Sequence, residues 1–352
     1  MYIFLVFSNL IVSYLIRNRK IILGYFILSY VLIIGLRYDV GRDYLNYEKI
    51  FIAGYDLEKG YNFLQNVIYI FNGEFHHLTM LISFLMVVPI VYFFKNNLKK
   101  IKDLRIGILL FLISDFTFSS MNLMRQALAS SFCFLAVDFY FKKKYINFLV
   151  LFLIGSFFHK SVVVFLLLFF ILNRIKIKKI LSIIFLVCIF LLKNSFSYTN
   201  LLFKVINFIA IMYPGYTSTK LEGYIEYTKN NSSILNLGLV LLIGLYILLV
   251  SFSKNKYLEY YEKFMFISLI FRVFSTQNFI FNRVSLYFDL FMFLSALIFY
   301  LNSKKSINKK IIFSIIVFGF FISFIKSGYF SSDTQKNKYK SIYYESFRKY
   351  IE

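Results

Sequence analysis

IILGYFILSYVLIIGL (residues 21–36) carries no charge and ends abruptly at RYDVGRDYLNY (37–47), which holds two arginines, two aspartates and three tyrosines. An uncharged run of this kind is a membrane-helix candidate, somewhat short of the ~20 residues that a straight crossing needs. The polar cluster behind it marks the point where the chain leaves the lipid.

The same alternation recurs along the whole chain. Its 352 residues are 59% hydrophobic with a mean hydropathy of +0.70, against about 45–50% apolar in ordinary soluble domains. The length would suit two soluble domains, but the repeated apolar runs argue for one membrane-embedded unit. Apolar stretches fall near 1–16, 21–36, 78–94, 106–119, 121–141, 145–158, 161–173, 180–192, 233–252, 264–281, 284–301 and 311–326. They predict an all-α, polytopic integral membrane protein with about 12 transmembrane helices, in a range of about 10–14. The shorter stretches are expected to be broken, tilted or covered by neighbours. Stretches 61–75 and 196–213 are amphipathic and are expected in the interface or partway into it. The expected organisation is a single multi-pass domain, 1–326, with outward loops near 37–77 and 193–232, followed by a basic C-terminal tail, 327–352.

The formal charge is +23, and 22 of the 40 Lys and Arg residues sit in six short loops: Arg17–Lys20, Lys95–Arg105, Lys142–Lys144, Arg174–Lys179, Lys254–Lys263 and Lys304–Lys310. The positive-inside rule assigns all six to the cytoplasm. The apolar stretches then alternate correctly between them. Lys142–Lys144 and Arg174–Lys179 bracket one apolar stretch, which must therefore be a hairpin turning at its only polar spot, His159–Ser161. The outward segments are then roughly 37–77, 119–122, 159–161, 193–232 and 282–284. The span count puts the tail outside while its charge favours the inside, so its side is left open. Membrane topology accounts for the positive charge, and no nucleic-acid motif is present. Cys133 and Cys188 lie in apolar runs and read as small buried or lipid-facing residues. The N-terminus has no basic leader or small-residue cleavage site, so it is expected to be an uncleaved span. The sequence has no HExxH, DxD, CxxC or P-loop motif, and no metal or other cofactor is expected.

Four polar islands share the outward side. The first is 37–47. MNLMRQALA (121–129) places Asn122 and Arg125 at the outer end of the fifth stretch. Their i,i+3 spacing puts them on one helix face, with small Ala129 one turn on to admit a close neighbour. FFHKS (157–161) sets His159 and Lys160 at the hairpin tip. FNRVSLYFD (281–289) puts Arg283 between two spans with Tyr287 one turn further. A single arginine at a membrane boundary commonly snorkels to head groups. Four islands on one side point instead to a shared site. Arg37, Arg42, Arg125 and Arg283 suit a di-anion such as pyrophosphate, because a guanidinium binds phosphate bidentately. Asp39, Asp43 and His159 are candidate proton acceptors. Tyr38, Tyr44 and Tyr47 offer faces and hydroxyls to sugar rings, and Gly41 permits a tight turn. This set fits glycosyl transfer from a lipid phosphate, although spacing alone does not single that reaction out. Elsewhere, Arg272 is expected to pair with Asp289 or a carbonyl, Asp115 and Asp138 to be solvated or paired, and His76 and His77 to be interfacial. His159 has a simpler alternative role, capping the hairpin turn.

GLRYDVGRDYLNYEKIF, EKGYNFL, MNLMRQALA, FFHKS and NRVSLYF occur in that order over about residues 35–290. In this the chain resembles the EpsG-type family of bacterial exopolysaccharide proteins, which is similar to the Wzy-type polymerases of O-antigen and capsule. The resemblance implies a glycosyltransferase of GT-C-like membrane architecture in the bacterial cytoplasmic membrane. Such a protein would join oligosaccharide repeat units carried on undecaprenyl pyrophosphate at the outer face. Its implied partners are the lipid-linked donor and acceptor, membrane lipids, a flippase and a chain-length regulator, with no nucleic acid. Arg37, Gly41, Asp43, Tyr44 and Tyr47 match the first block, Asn122, Arg125 and Gln126 the second, His159 the third, and Arg283 with Tyr287 the fourth. The family has a small residue where this chain has Arg42, which sets that arginine apart. Together, the residues and the resemblance assign catalysis to Arg125 with Asp43 or His159. They assign substrate binding to Arg37, Tyr38, Asp39, Gly41, Tyr44, Tyr47, Asn122, Gln126, Lys160, Arg283 and Tyr287. The competing readings are a flippase or transporter for the same lipid, a glycan ligase of similar architecture, and a membrane acyltransferase. A transporter should show internal repeats and charges along a path open to both sides, and neither is evident.

Overall fold

The computed structural model describes residues 1–192, 243–247, 256–275, 280–303, 307–330 and 339–340, and all regular elements among them are helical. The chain begins with α1 (Tyr2–Leu15) and α2 (Arg19–Tyr30), which a π-helical turn, Val31–Gly35, prolongs. Then come α3 (Tyr44–Ala53), α4 (Lys59–Ile70), α5 (Phe75–Asn97), α6 (Ile101–Leu112), α7 (Phe116–Asn122) and α8 (Met124–Phe141). They are followed by α9 (Tyr145–Phe158), α10 (Val162–Arg174), α11 (Lys179–Leu192), α12 (Lys256–Ser275), α13 (Ile280–Ser303) and α14 (Ile307–Ile325), which ends in a second π-helical turn, Lys326–Phe330.

By length and composition, three described segments can cross a membrane: Phe75–Asn97, Phe281–Asn302 and Asn308–Tyr329. A fourth is the pair α6 and α7, bent by 46°, if it counts as one span. Helices α1, α9, α10 and α11 are apolar but shorter. The hairpin forms where the charge pattern puts it, with α9 and α10 turning at residues 159–161. The expected amphipathic stretch 61–75 falls mostly on α4. Of the stretch 233–252 only 243–247 is described, and 193–232 lies outside the described residues. Two expected outward loops are corrected. Residues 119–122 end α7 and residues 282–284 lie in the first turn of α13, because the chain breaks at Leu123 and α13 begins at Ile280.

Helix α13 is the centre of the molecule, buried along 285–297 and packed on α12, α8 and α6. Helix α8 is nearly as enclosed. Aromatic edges fill the space between them, with Phe134 lying 5.6 Å from Phe291 and 5.8 Å from Phe293 between ring centroids. Small residues set the closest approaches: a Cβ on Gly155 of α9 would stand 3.3 Å from the carbonyl oxygen of Ala129 on α8. That is the role expected of a small residue at position 129.

The α6–α7 break has a local cause. Ser114 donates to the carbonyl of Phe111 at 2.6 Å and Thr117 to that of Leu112 at 3.1 Å, so side chains take over carbonyls at the end of the helix. The break presents Asp115 to the bundle. Arg272 of α12 pairs with Asp115 at 2.8 Å and with Asp289 of α13 at 2.9 Å. Ser323 donates to Asp115 at 2.9 Å and Ser268 to Asp289 at 2.7 Å. The Arg272–Asp289 pair meets the expectation from the sequence, and Asp115 makes it a network. Asp138 is paired as well, with Lys142 at 2.6 Å.

The arginines of two basic loops also close helix ends. Arg19 donates to the carbonyls of Lys95 and Leu98 at the end of α5, at 3.0 and 2.6 Å. Arg105 donates to those of Ser13 and Tyr14 at the end of α1, at 2.7 and 3.3 Å. A cation there satisfies orphan carbonyls and the negative end of the helix dipole. Near the other terminus, Lys340 accepts from the backbone N–H of Tyr38 at 2.9 Å and its ammonium meets Asp39 at 3.2 Å, while Tyr339 packs edge-on against Tyr2. Residues 339 and 340 therefore lie on the side that carries 37–47.

Candidate functional site

The π-helical turn delivers the chain into 37–47 against α5, where a Cβ on Gly35 would stand 2.7 Å from the Cα of Met80. Arg37 follows and is 1% exposed. Its guanidinium donates to the carbonyls of Val40 (3.3 Å), Ile34 and Met121 (3.2 Å), and lies over the Tyr44 ring. Arg37 was expected to face a phosphate. Instead its guanidinium ties this loop to the end of α7, since a buried cation must find acceptors.

Gly41 has φ +98°, and a Cβ there would stand 2.9 Å from both Asn122 Oδ1 and the Met121 carbonyl oxygen. The glycine is required by its conformation and by this contact. Asn122 Oδ1 accepts the backbone N–H of Arg42 at 2.7 Å. Asn122 and Arg125 do not share a helix face as expected. Leu123, at φ −109° and ψ 54°, separates α7 from α8, so Asn122 turns to the 37–47 loop while Arg125 enters the first turn of α8.

The expected sugar platform is also absent as drawn. Tyr44 is 0% and Tyr47 7% exposed. Tyr44 packs edge-on against Phe75 and Tyr38, and Tyr47 lies 6.0 Å from Tyr61. Each ring is thus held by aromatic neighbours in offset or edge-on contact. Tyr38 is half-buried and Asp39, at φ 47°, holds Lys340. Asp43 is half-buried at the start of α3, where its carbonyl accepts from Tyr47.

Arg125 is where the islands meet. Its Nε donates to the Tyr47 hydroxyl at 3.3 Å, its guanidinium lies over the Tyr47 ring, and Nη1 forms an ion pair with Glu58. Glu58 comes from EKGYNFL, at the N-terminus of α4, and its side chain is 14% exposed. Helix α4 is held against the end of α9, since a Cβ on Gly60 would stand 2.8 Å from the Phe157 carbonyl oxygen. Sequence reasoning missed Glu58 as a site residue. The signal was available, because EKGYNFL stands among the ordered motifs.

His159 lies at the hairpin turn two residues beyond Phe157. Its Nδ1 accepts from the backbone N–H of Ser161 at 3.3 Å and is 2.6 Å from Ser161 Oγ, which is 2.8 Å from the Tyr287 hydroxyl. A chain of donors thus runs from Tyr287 through Ser161 to Nδ1, which assigns the ring proton to Nε2. Burial first, and then the cations Arg125 and Arg283, lower the imidazolium pKa to about 3. His159 is therefore a neutral ring near two arginines, with one N–H to give. Its capping role at the turn is real and coexists with this placement.

Gln126 completes the join by donating to the carbonyl of Arg283, and Ser130 donates to that of Leu286 at 3.1 Å, which fastens α8 to the start of α13. The Gln126 Oε1 and the Tyr44 and Tyr61 hydroxyls are buried without a partner among the described residues. Lys160 is exposed at the tip. The first, second, third and fourth islands are thus joined through Arg42–Asn122, Tyr47–Arg125–Glu58, His159–Ser161–Tyr287 and Gln126–Arg283. Among the described residues no group of His, Cys, Asp and Glu side chains is arranged to hold a metal ion.

The EpsG family matches this chain over residues 20–341. No curated protein and no solved structure matches it.

Proposed function

The chain belongs to the EpsG family, a bacterial exopolysaccharide biosynthesis family of Wzy-like polymerases, and from that premise we propose that it elongates a lipid-linked glycan. The donor is a growing chain on undecaprenyl pyrophosphate, and the acceptor is a sugar hydroxyl on a new lipid-linked repeat unit. The site opens at the outer face of the cytoplasmic membrane, in a bundle of about 12 crossings with GT-C-like architecture. The observation that carries this reading is the joining of all four polar islands in one cluster, through Tyr47–Arg125–Glu58, His159–Ser161–Tyr287 and Gln126–Arg283.

In the reaction the acceptor oxygen bonds to the donor's anomeric carbon, the bond from that carbon to the pyrophosphate oxygen breaks, and the pyrophosphate leaves with the electron pair. Arg125 and Arg283 neutralise the charge that builds on the leaving group, usually the largest catalytic contribution. The Nε2–H of His159 donates to an oxygen of the same group. Asp43 takes the proton of the acceptor hydroxyl, since a histidine held neutral down to about pH 3 is a donor and a poor base. Arg37, Gly41 and Asn122 shape the loop that carries Asp43. The pyrophosphate lipid already holds the energy of transfer, so the chemistry calls for no nucleotide.

Reconstitution tests this. The protein in lipid vesicles is given undecaprenyl-pyrophosphate-linked repeat units, and the products are resolved on a gel beside Arg125→Ala. A ladder of longer lipid-linked glycans that is absent in the variant is expected. No ladder, with protected lipid-linked sugar becoming accessible across the bilayer, would replace the polymerase with a transporter.

A further inference from the structure

Glu58 and Arg125 form a largely enclosed ion pair, with side chains 14% and 21% exposed. The Glu58 carboxylate thus occupies a guanidinium edge that a phosphate would also seek. We propose that Glu58 is an exchangeable counter-ion, which neutralises Arg125 and gives way to the pyrophosphate of the lipid-linked substrate. This rests on the reading of Arg125 as a pyrophosphate-binding cation.

Three features support exchange over a permanent tie. Arg125 stays anchored without Glu58, through its Nε bond to Tyr47 at 3.3 Å and its stacking on that ring. The cation therefore keeps its place when the carboxylate leaves. Glu58 stands at the start of α4, whose position is set two residues on by Gly60 against Phe157, so the helix does not depend on the pair. A partly buried cation with no counter-ion is unfavourable, and Glu58 removes that penalty between turnovers. The consequence is a lower affinity for anions at rest, together with an arginine already aimed for the substrate. Glu58 on this account sets the charge on Arg125 and touches no reacting atom.

The test measures binding of inorganic pyrophosphate to the purified full-length protein in detergent by calorimetry, for wild type, Glu58→Gln and Arg125→Ala. Removing the competing charge should tighten binding about 10–100-fold in Glu58→Gln, the size expected for one charge-assisted bond. Glycan elongation should meanwhile slow, because pyrophosphate held more tightly on Arg125 leaves the site more slowly. A merely structural Glu58 would weaken binding when replaced, or leave it unchanged, and either result overturns the proposal. Equal binding by wild type and Arg125→Ala would instead overturn the reading of Arg125 itself. Carbodiimide labelling of the wild-type protein provides a check that needs no variant. Pyrophosphate should increase modification of Glu58, read by mass spectrometry, and unchanged or reduced modification counts against exchange.

Discussion

Asn122 Oδ1 accepts the backbone N–H of Arg42 at 2.7 Å across 80 residues of chain. That bond fixes the 37–47 loop on the end of α7, one residue before the break that releases Arg125 into α8. Asn122→Ala should lose about 1–2 kcal/mol through an unmet N–H and reduce elongation. Asn122→Asp keeps the acceptor and should melt close to wild type. Thermal unfolding in detergent, with a parallel elongation assay, separates the two.

Gly41→Ala meets two obstacles at once. Its φ of +98° is unfavourable for any residue with a Cβ, and that carbon would stand 2.9 Å from Asn122 Oδ1 and the Met121 carbonyl oxygen. Backbone strain alone is about 1–3 kcal/mol. The variant should melt lower and elongate poorly, and wild-type behaviour in both assays would refute the packing described here.

Arg125→Lys retains a charge but loses the planar fork and its stacking on Tyr47. It should recover only a small part of the elongation lost in Arg125→Ala, where a deficit of about 10²–10³-fold is expected for a leaving-group cation. Full activity in the lysine variant would show that charge alone suffices.

The pKa of His159 is lowered from 6.5 to about 3. Between these values the unfolded chain binds a proton that the folded ring refuses, so stability falls as pH drops through that window and is independent of this group above it. His159→Gln should flatten that part of the stability–pH curve. Elongation by the wild type should show no inflection near 6.5 from this ring. A histidine-dependent inflection there would restore His159 as the base.

Asp289 is 3% exposed and shares Arg272 with Asp115. Removing one member of a buried network leaves uncompensated charge, so Arg272→Ala should destabilise by about 3–5 kcal/mol. The loss should appear as a lowered melting point. An unchanged melting point would mean that water already compensates these groups.

The hairpin at 159–161 was legible because charge asymmetry across a membrane is a local, countable property. The pairing of Arg272 with Asp289 was legible for a related reason, since an arginine inside an apolar stretch must have a partner. The helix face of Asn122 and Arg125 was misread. Periodicity assumes an unbroken helix, and the break at Leu123 accompanies contacts with a loop far away in sequence. Tyr44 and Tyr47 were misread as a platform because composition does not reveal which ring faces which.

By itself the sequence determined that the chain is helical and membrane-embedded, and which polar motifs gather on one side. Both follow from hydropathy and charge, which are carried residue by residue. Only the tertiary structure decided that Arg37 faces carbonyls, that His159 is joined to Tyr287 through Ser161, and that Glu58 is the partner of Arg125. Each of these depends on distances between helices, because burial, hydrogen-bond partners and local field arise when distant segments pack together.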